Sequence, residues 1–144
     1  MKLAEKQERV WELSNQGLSV SEIAKKLGIS RQAVSIYFRQ AKTRMTEILL
    51  DLAESIDAEI LKLDVAKGVL IGRIRQINEK VYLIYVPQIG PCAIYESAIK
   101  TGICPDNSVC KKIIRYFSGK IKKKNIRNRE ILRYIILNFV EKLL

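Results

Sequence analysis

Residues 19–41, SVSEIAKKLGISRQAVSIYFRQA, constrain the fold of this chain more than any other segment. Ser19 and Glu22 have the spacing of a capping box, which predicts a helix over residues 20–27 that ends at Gly28. Ser30 can cap another helix after a turn of only three residues. Two helices joined this tightly must cross steeply and bury the small and apolar side chains between them. Those side chains are Ile23, Ala24, Leu27, Ile29, Val34 and Tyr37.

A further helix is predicted before this pair. The segment AEKQERVWELSNQ places Val10, Trp11 and Leu13 at helical spacing, and Gly17 follows where a helix end favours a residue that tolerates positive φ. Residues 1–44 are therefore expected to form an all-α domain of three helices.

The third predicted helix has one polar face. At 100° per residue, Val34, Tyr37, Phe38 and Ala41 share the buried side, and the opposite side is rich in groups that bond base edges. We assign Arg31, Gln32 and Ser35 to bases, Ile36 to a thymine methyl group, and Ser30, Arg39, Lys42, Arg44, Lys25 and Lys26 to phosphates. The expected partner is double-stranded DNA. A solvated polar face, or a helix pair that contacts protein, is the alternative.

The pattern L-x-E-K-Q…GLS-x-x-E-I-A-x-x-L-G-x-S-R-x-x-V-S, within residues 3–46, resembles known regulators. It is similar to the helix-turn-helix of archaeal Tfx-type regulators, of LuxR-type response regulators and of region 4 of sigma factors. The resemblance implies that the third helix enters the DNA major groove and that the protein acts in transcription. Ala4 departs from the pattern, because these families usually place a Thr or Ser cap there.

Charge divides the chain into three blocks. Residues 1–44 have nine Lys/Arg and four acids, residues 45–66 have one Lys and six acids, and residues 67–144 have sixteen Lys/Arg and five acids. Two basic blocks favour a polyanionic partner. The acidic block between them is expected to point away from DNA, or its acids could instead face the basic C-terminal half.

The acidic block is predicted to be a connecting helix over residues 45–66. Met45, Leu49, Leu52, Ile56 and Leu63 follow heptad-like spacing, which would suit a dimer stalk. The same face could instead pack on the chain's own C-terminal half. Both interpretations remain open on the sequence.

Residues 67–144 are predicted to form a small α+β domain for dimerisation or effector binding. Short runs rich in Val, Ile and Tyr at residues 69–77, 81–86 and 92–96 predict a three-stranded antiparallel sheet. Apolar periodicity predicts helices at about 107–118 and 128–143. The last helix is apolar around most of its circumference, so it is either central to its domain or shared between subunits, and the second option favours a homodimer.

Two segments of this half are candidate binding sites. The basic loop with Lys120, Lys122, Lys123 and Lys124 could contact phosphates or could be a solvated loop. The segment YVPQIGPCAIYE could shape a small-molecule pocket, and a structural turn explains it equally well.

Catalysis and metal binding are not expected. The chain has no histidine and three cysteines, which cannot complete a four-ligand zinc site. The spacing of Cys104 and Cys110 allows a disulfide, and the isoleucine and lysine usage resembles that of hyperthermophiles, in which intracellular disulfides occur. No cofactor is predicted. No apolar run approaches the roughly 18 residues of a membrane span, so a cytoplasmic protein is expected.

The sequence as a whole predicts an α+β protein that binds double-stranded DNA specifically and regulates transcription as a homodimer, archaeal in character. One alternative is a non-specific architectural protein driven by the C-terminal lysines. Another is a factor associated with RNA polymerase.

Overall fold

The structure, a computed structural model, describes residues 1–97. Three helices come first: α1 (Glu5–Asn15), α2 (Val20–Leu27) and α3 (Arg31–Ser55). Four strands follow: β1 (Ala58–Asp64), β2 (Val69–Ile74), β3 (Glu79–Val86) and β4 (Gly90–Tyr95). The strands form one antiparallel sheet in the order β1-β2-β3-β4. The described part of the chain is therefore α+β, with four strands where the sequence predicted three.

Local side-chain chemistry fixes the helix boundaries as predicted. The hydroxyl of Ser19 accepts a hydrogen bond from the amide of Glu22 at 3.2 Å, and Ser30 accepts one from the amide of Ala33 at 3.0 Å. Gly28 lies between them with φ of 66°, in the left-handed region that glycine adopts without strain. At α1, Ala4 provides no side-chain cap, and its own amide donates to the side chain of Gln7 instead.

The prediction of a helix through residue 66 is wrong beyond Ser55. Asp57 turns the chain with φ of 51°, and residues 58–64 then pair with β2. Leu63, which the heptad spacing placed on the helix, therefore lies in a strand. The backbone hydrogen bonds of a neighbouring strand, distant in sequence, outweigh the local helical pattern here.

The expected dimer-stalk surface is buried inside the chain. Met45 and Leu49 are fully buried in a cluster with Leu70 and Leu83 of the sheet. The apolar face at these residues therefore packs on the chain's own sheet and does not form a dimer stalk.

The helix-turn-helix and the sheet are joined through α3. Its first half contributes Val34 to a small helical core, and its second half packs on one face of the sheet. The opposite face of the sheet is also apolar and buried, with Val69, Ile71, Ile84, Cys92 and Ile94.

A second connection runs from α1 to the sheet. The ring of Trp11 meets that of Tyr85 edge-on, with 5.8 Å between centroids. The Tyr85 hydroxyl accepts a hydrogen bond from the amide of Leu3 at 2.9 Å and donates one to Glu8 at 2.6 Å. The three helices are therefore held against the sheet at two places, and sequence patterns did not predict this contact.

Several predictions concern residues outside the described range. These are the helices at 107–118 and 128–143, the disulfide between Cys104 and Cys110, and the basic loop with Lys120, Lys122, Lys123 and Lys124. Within residues 1–97, no helix is both long and apolar enough to cross a membrane.

Candidate nucleic-acid interface

The first three turns of α3 present a polar surface to solvent. The buried side chains of Val34 and Ala41 hold the helix against its neighbours. Every residue assigned to DNA from the sequence is exposed in the structure: Lys25, Lys26, Ser30, Arg31, Gln32, Ser35, Ile36, Arg39, Lys42 and Arg44.

The residues assigned to bases lie together. Arg31, Gln32, Ser35 and Ile36 line one shallow concavity of about 500 Å³. Arg39, which was assigned to phosphates, lines the same concavity. This lining carries two guanidinium groups and, among the described residues, no carboxylate. Such a surface attracts a polyanion and offers donors, an amide and an apolar tip to base edges.

Val20, the first residue of α2, also lines this concavity. Its side chain is 41% exposed, and Ile36 is 47% exposed, although both are apolar. Sequence reasoning assigned Val20 no role. Its position directly after the Ser19 cap could have suggested exposure, because it lies in the first turn, at the N-terminus of the helix.

Lys25, Ser30 and Arg31 line a second open depression, where the end of α2 meets the start of α3. The Ser30 hydroxyl accepts the capping bond from Ala33, so it retains its hydrogen for donation to a phosphate. The Ser35 hydroxyl donates to the carbonyl of Arg31 at 3.3 Å, and it must rotate before it can donate to a base.

Lys42 and Arg44 lie further along α3 and are less free. The Lys42 ammonium lies 4.9 Å from the centroid of the Phe38 ring. Lys42 lines a third depression together with Ser35 and Arg39. Arg44 forms an exposed ion pair with Glu47 at 3.0 Å. The structure therefore brings the residues assigned to bases together in one concavity, and Lys42 and Arg44 do not line it.

A larger groove lies elsewhere, along α1. It has a volume of about 650 Å³, and its lining alternates cations with carboxylates: Lys2, Lys6 and Arg9 against Glu5, Glu8 and Glu12. Mixed charge of this kind does not favour a polyanion.

The segment YVPQIGPCAIYE, for which the sequence allowed a small-molecule pocket or a structural turn, contains the turn between β3 and β4. Tyr85 packs against Trp11, and the amide of Gln88 donates to Glu8, so this turn holds α1. Burial raises the pKa of the Cys92 thiol to about 11, which keeps it protonated at neutral pH. Among residues 1–97, no group of three or more His, Cys, Asp or Glu side chains could hold a metal ion.

Residues 1–45 match the protein family Sigma-70, region 4. The match covers α1, α2 and the first part of α3, which is about a third of the chain. These residues therefore form a helix-turn-helix of the sigma-70 region 4 type, and this type indicates a DNA-binding function related to transcription. The finer resemblance to archaeal Tfx-type regulators is not confirmed. Neither a curated protein nor a solved structure matches the chain.

Proposed function

We propose that this chain is a sequence-specific, double-stranded DNA-binding regulator of transcription that acts as a homodimer. The observation that carries the proposal is the concavity on α3, where Arg31, Gln32 and Ile36 are exposed together above a buried core. Arginine can bond guanine O6 and N7, glutamine can bond adenine N6 and N7, and an aliphatic tip can contact a thymine methyl group.

The direction of the contacts follows from the placement of the helices. α3 would lie in the major groove with its first turns against the bases. Ser30, Lys25 and Lys26 would contact the phosphates on either side, and these contacts would set the register without reading sequence.

Selection from a randomised pool of duplexes at about 150 mM salt tests the proposal, because purely electrostatic binding is weakened there. We expect an enriched inverted repeat with half-sites about 10 base pairs apart, since a symmetric dimer presents two heads on one side of the duplex. Binding without any enriched sequence would contradict the proposal and favour the architectural alternative.

A double substitution examines base reading directly. R31A/Q32A should lower affinity for the selected site by at least about tenfold and leave non-specific binding nearly unchanged. R75A/Q76A is a matched control, because it removes the same side-chain types from the exposed turn after β2. Equal losses in both variants would show that the concavity does not read bases.

Ile36→Ser tests the apolar part of the same surface. Removal of a thymine methyl contact should relax the preference for thymine at one position of each half-site, with a loss of about tenfold in affinity. The stability of the protein should change by less than about 0.5 kcal/mol, because the side chain is half exposed. Ile77→Ser is the control, since Ile77 is 61% exposed in the turn between β2 and β3. An unchanged base preference in Ile36→Ser would remove Ile36 from the reading surface.

A polymerase-associated factor is the second candidate function. It is favoured by the match of residues 1–45 to sigma-70 region 4. Such a factor would need RNA polymerase for stable promoter binding, so purified protein alone would select no sequence. Addition of polymerase to the same selection separates the two functions.

No enzymatic activity is proposed, and Cys92 is the one described cysteine.

A further inference from the structure

Strand β1 has an exposed outer edge. Among the described strands it pairs with β2 alone, whereas β2 and β3 each have two neighbours. Its central residues Glu59, Ile60, Leu61 and Lys62 are all exposed. Ile60 is 48% and Leu61 42% exposed, so two adjacent large apolar side chains face solvent on this strand. An edge strand also has outward N–H and C=O groups that can pair with another strand.

The exposed residues are complementary to a second copy of themselves. An antiparallel pair of β1 strands with a two-fold axis between Ile60 and Leu61 would place Glu59 of each copy opposite Lys62 of the other. Ile60 and Leu61 would lie beside the two-fold axis, at the centre of the strand pair. Opposite charges across a strand pair stabilise it, and so do apolar pairs.

The side chains have the orientation that this pairing requires. In the present sheet Glu59 lies opposite Arg73, and Lys62 lies opposite Ile71. Arg73 and Ile71 are two residues apart in β2 and therefore share one face of the sheet. Glu59 and Lys62 consequently lie on the same face, and only residues on one face can contact each other across two strands.

Irregularity in β1 selects this register over others. The pairing with β2 shifts its register between Ile60 and Lys62, and this shift is what places Glu59 and Lys62 on one face. Bulges and charges at an edge disfavour indiscriminate strand pairing. Antiparallel registers centred on Glu59 or on Lys62 would also place two like charges opposite each other, which is destabilising.

The proposed interface leaves the recognition surface free. β1 begins just after the C-terminal end of α3, whereas the base-reading residues lie in its first three turns. Arg39 and Ser55 are separated by about 24 Å along the helix axis. Two copies can therefore meet at β1 without covering the concavity on either.

From these observations we infer that two copies of this chain associate through antiparallel pairing of their β1 strands. The inference rests on the homodimer of the proposed function and names its surface. The interface is small, so we expect dissociation at about micromolar concentration and stabilisation by DNA with two half-sites.

Charge reversal, measured by sedimentation velocity over a concentration series, tests the inference. E59K alone and K62E alone should each raise the dimer dissociation constant about tenfold, because two attractive pairs become repulsive. The double variant E59K/K62E should restore it to within about twofold of wild type. A mixture of the two single variants should form heterodimers, since their charges are complementary.

Two further variants complete the experiment. Leu61→Ser should weaken the dimer, and Ile77→Ser should not, although both replace an exposed aliphatic side chain. Thermal melts followed by circular dichroism establish that each variant is folded.

Two results would overturn the inference. One is a wild-type protein that stays monomeric at about 100 µM, far above the expected dissociation constant. The other is a dimer whose dissociation constant is the same in wild type, E59K and K62E, since that dimer would use another surface. Binding to a duplex with a single half-site separates these failures from failure of the proposed function. A monomeric variant that still binds its half-site retains the DNA-reading function.

Discussion

The hydroxyl of Tyr85, in strand β3, donates a 2.6 Å hydrogen bond to the carboxylate of Glu8, in helix α1. The two residues are 77 positions apart and belong to the sheet and to the helix-turn-helix, respectively. Burial raises the pKa of Tyr85, and the hydrogen bond to Glu8 raises it further, so the phenol remains a neutral donor. This bond and the shared helix α3 fix the orientation of the DNA-binding head on the sheet.

Tyr85→Phe should lower the free energy of unfolding by about 1–3 kcal/mol. The substitution removes the donor to Glu8 and the acceptor of the Leu3 amide, and the buried amide is left unpaired. Urea unfolding measures the change. Tyr95→Phe is the matched control, because no hydrogen bond to that hydroxyl is present among the described residues and a loss below about 0.5 kcal/mol is expected. Equal losses in the two variants would show that the bond to Glu8 adds no stability.

Gly68→Ala should destabilise the protein by about 2–4 kcal/mol. Gly68 has φ of 68°, and a Cβ atom added there would lie 2.8 Å from the ring of Trp11. Gly17→Ala separates the two causes, because Gly17 has φ of 91° with nothing within 4 Å of an added Cβ. That control should cost only about 1 kcal/mol, for backbone strain alone. Thermal unfolding of both variants gives the comparison, and equal costs would mean that α1 can move away from the sheet without loss.

Cys92 should react slowly with alkylating reagents and more quickly as pH rises. With its pKa raised to about 11, the folded thiol has about a hundredfold less thiolate at pH 8 than an exposed thiol near 9. Mass spectrometry of labelled peptides, compared between the native protein and protein in guanidinium, measures the ratio.

The same shift has a consequence for stability. The folded-state pKa of Cys92 lies above the unfolded-state value, so the folded protein binds this proton more tightly. Its contribution to stability is complete below pH 9 and is lost as pH rises toward 11. The stability of the Cys92→Ala variant should decline less over this pH interval than the stability of wild type does. A parallel decline in both proteins would show that the thiol titrates normally when folded.

The local chemistry of residues 1–44 was readable from the sequence. Ser19, Gly28 and Ser30 set the helix boundaries through bonds and dihedral angles within a few residues, and the structure has them as predicted. The exposed face of α3 followed from the same helical periodicity. Capping and periodicity are short-range effects, so the residues that cause them are adjacent in the sequence.

The pairing of strands that are distant in the sequence could not be predicted from the sequence. The heptad-like spacing of Met45, Leu49 and Leu63 suited a helix through residue 66, and only pairing with β2 turns residues 58–64 into an edge strand. The choice between a dimer stalk and internal packing depended equally on where the sheet lies, because the same apolar face satisfies either partner.

The contact between Tyr85 and Glu8 is also a long-range interaction that the sequence did not predict. Neither residue has a local signal that predicts its partner, because a hydrogen bond across 77 positions exists only after the sheet and α1 have packed. The sequence by itself determined the helix-turn-helix and the residues that it exposes. The tertiary structure decided where α3 ends, that residues 58–64 form a strand with exposed residues, and how the helix-turn-helix is held on the sheet. Each of these depends on segments that meet only in the folded chain.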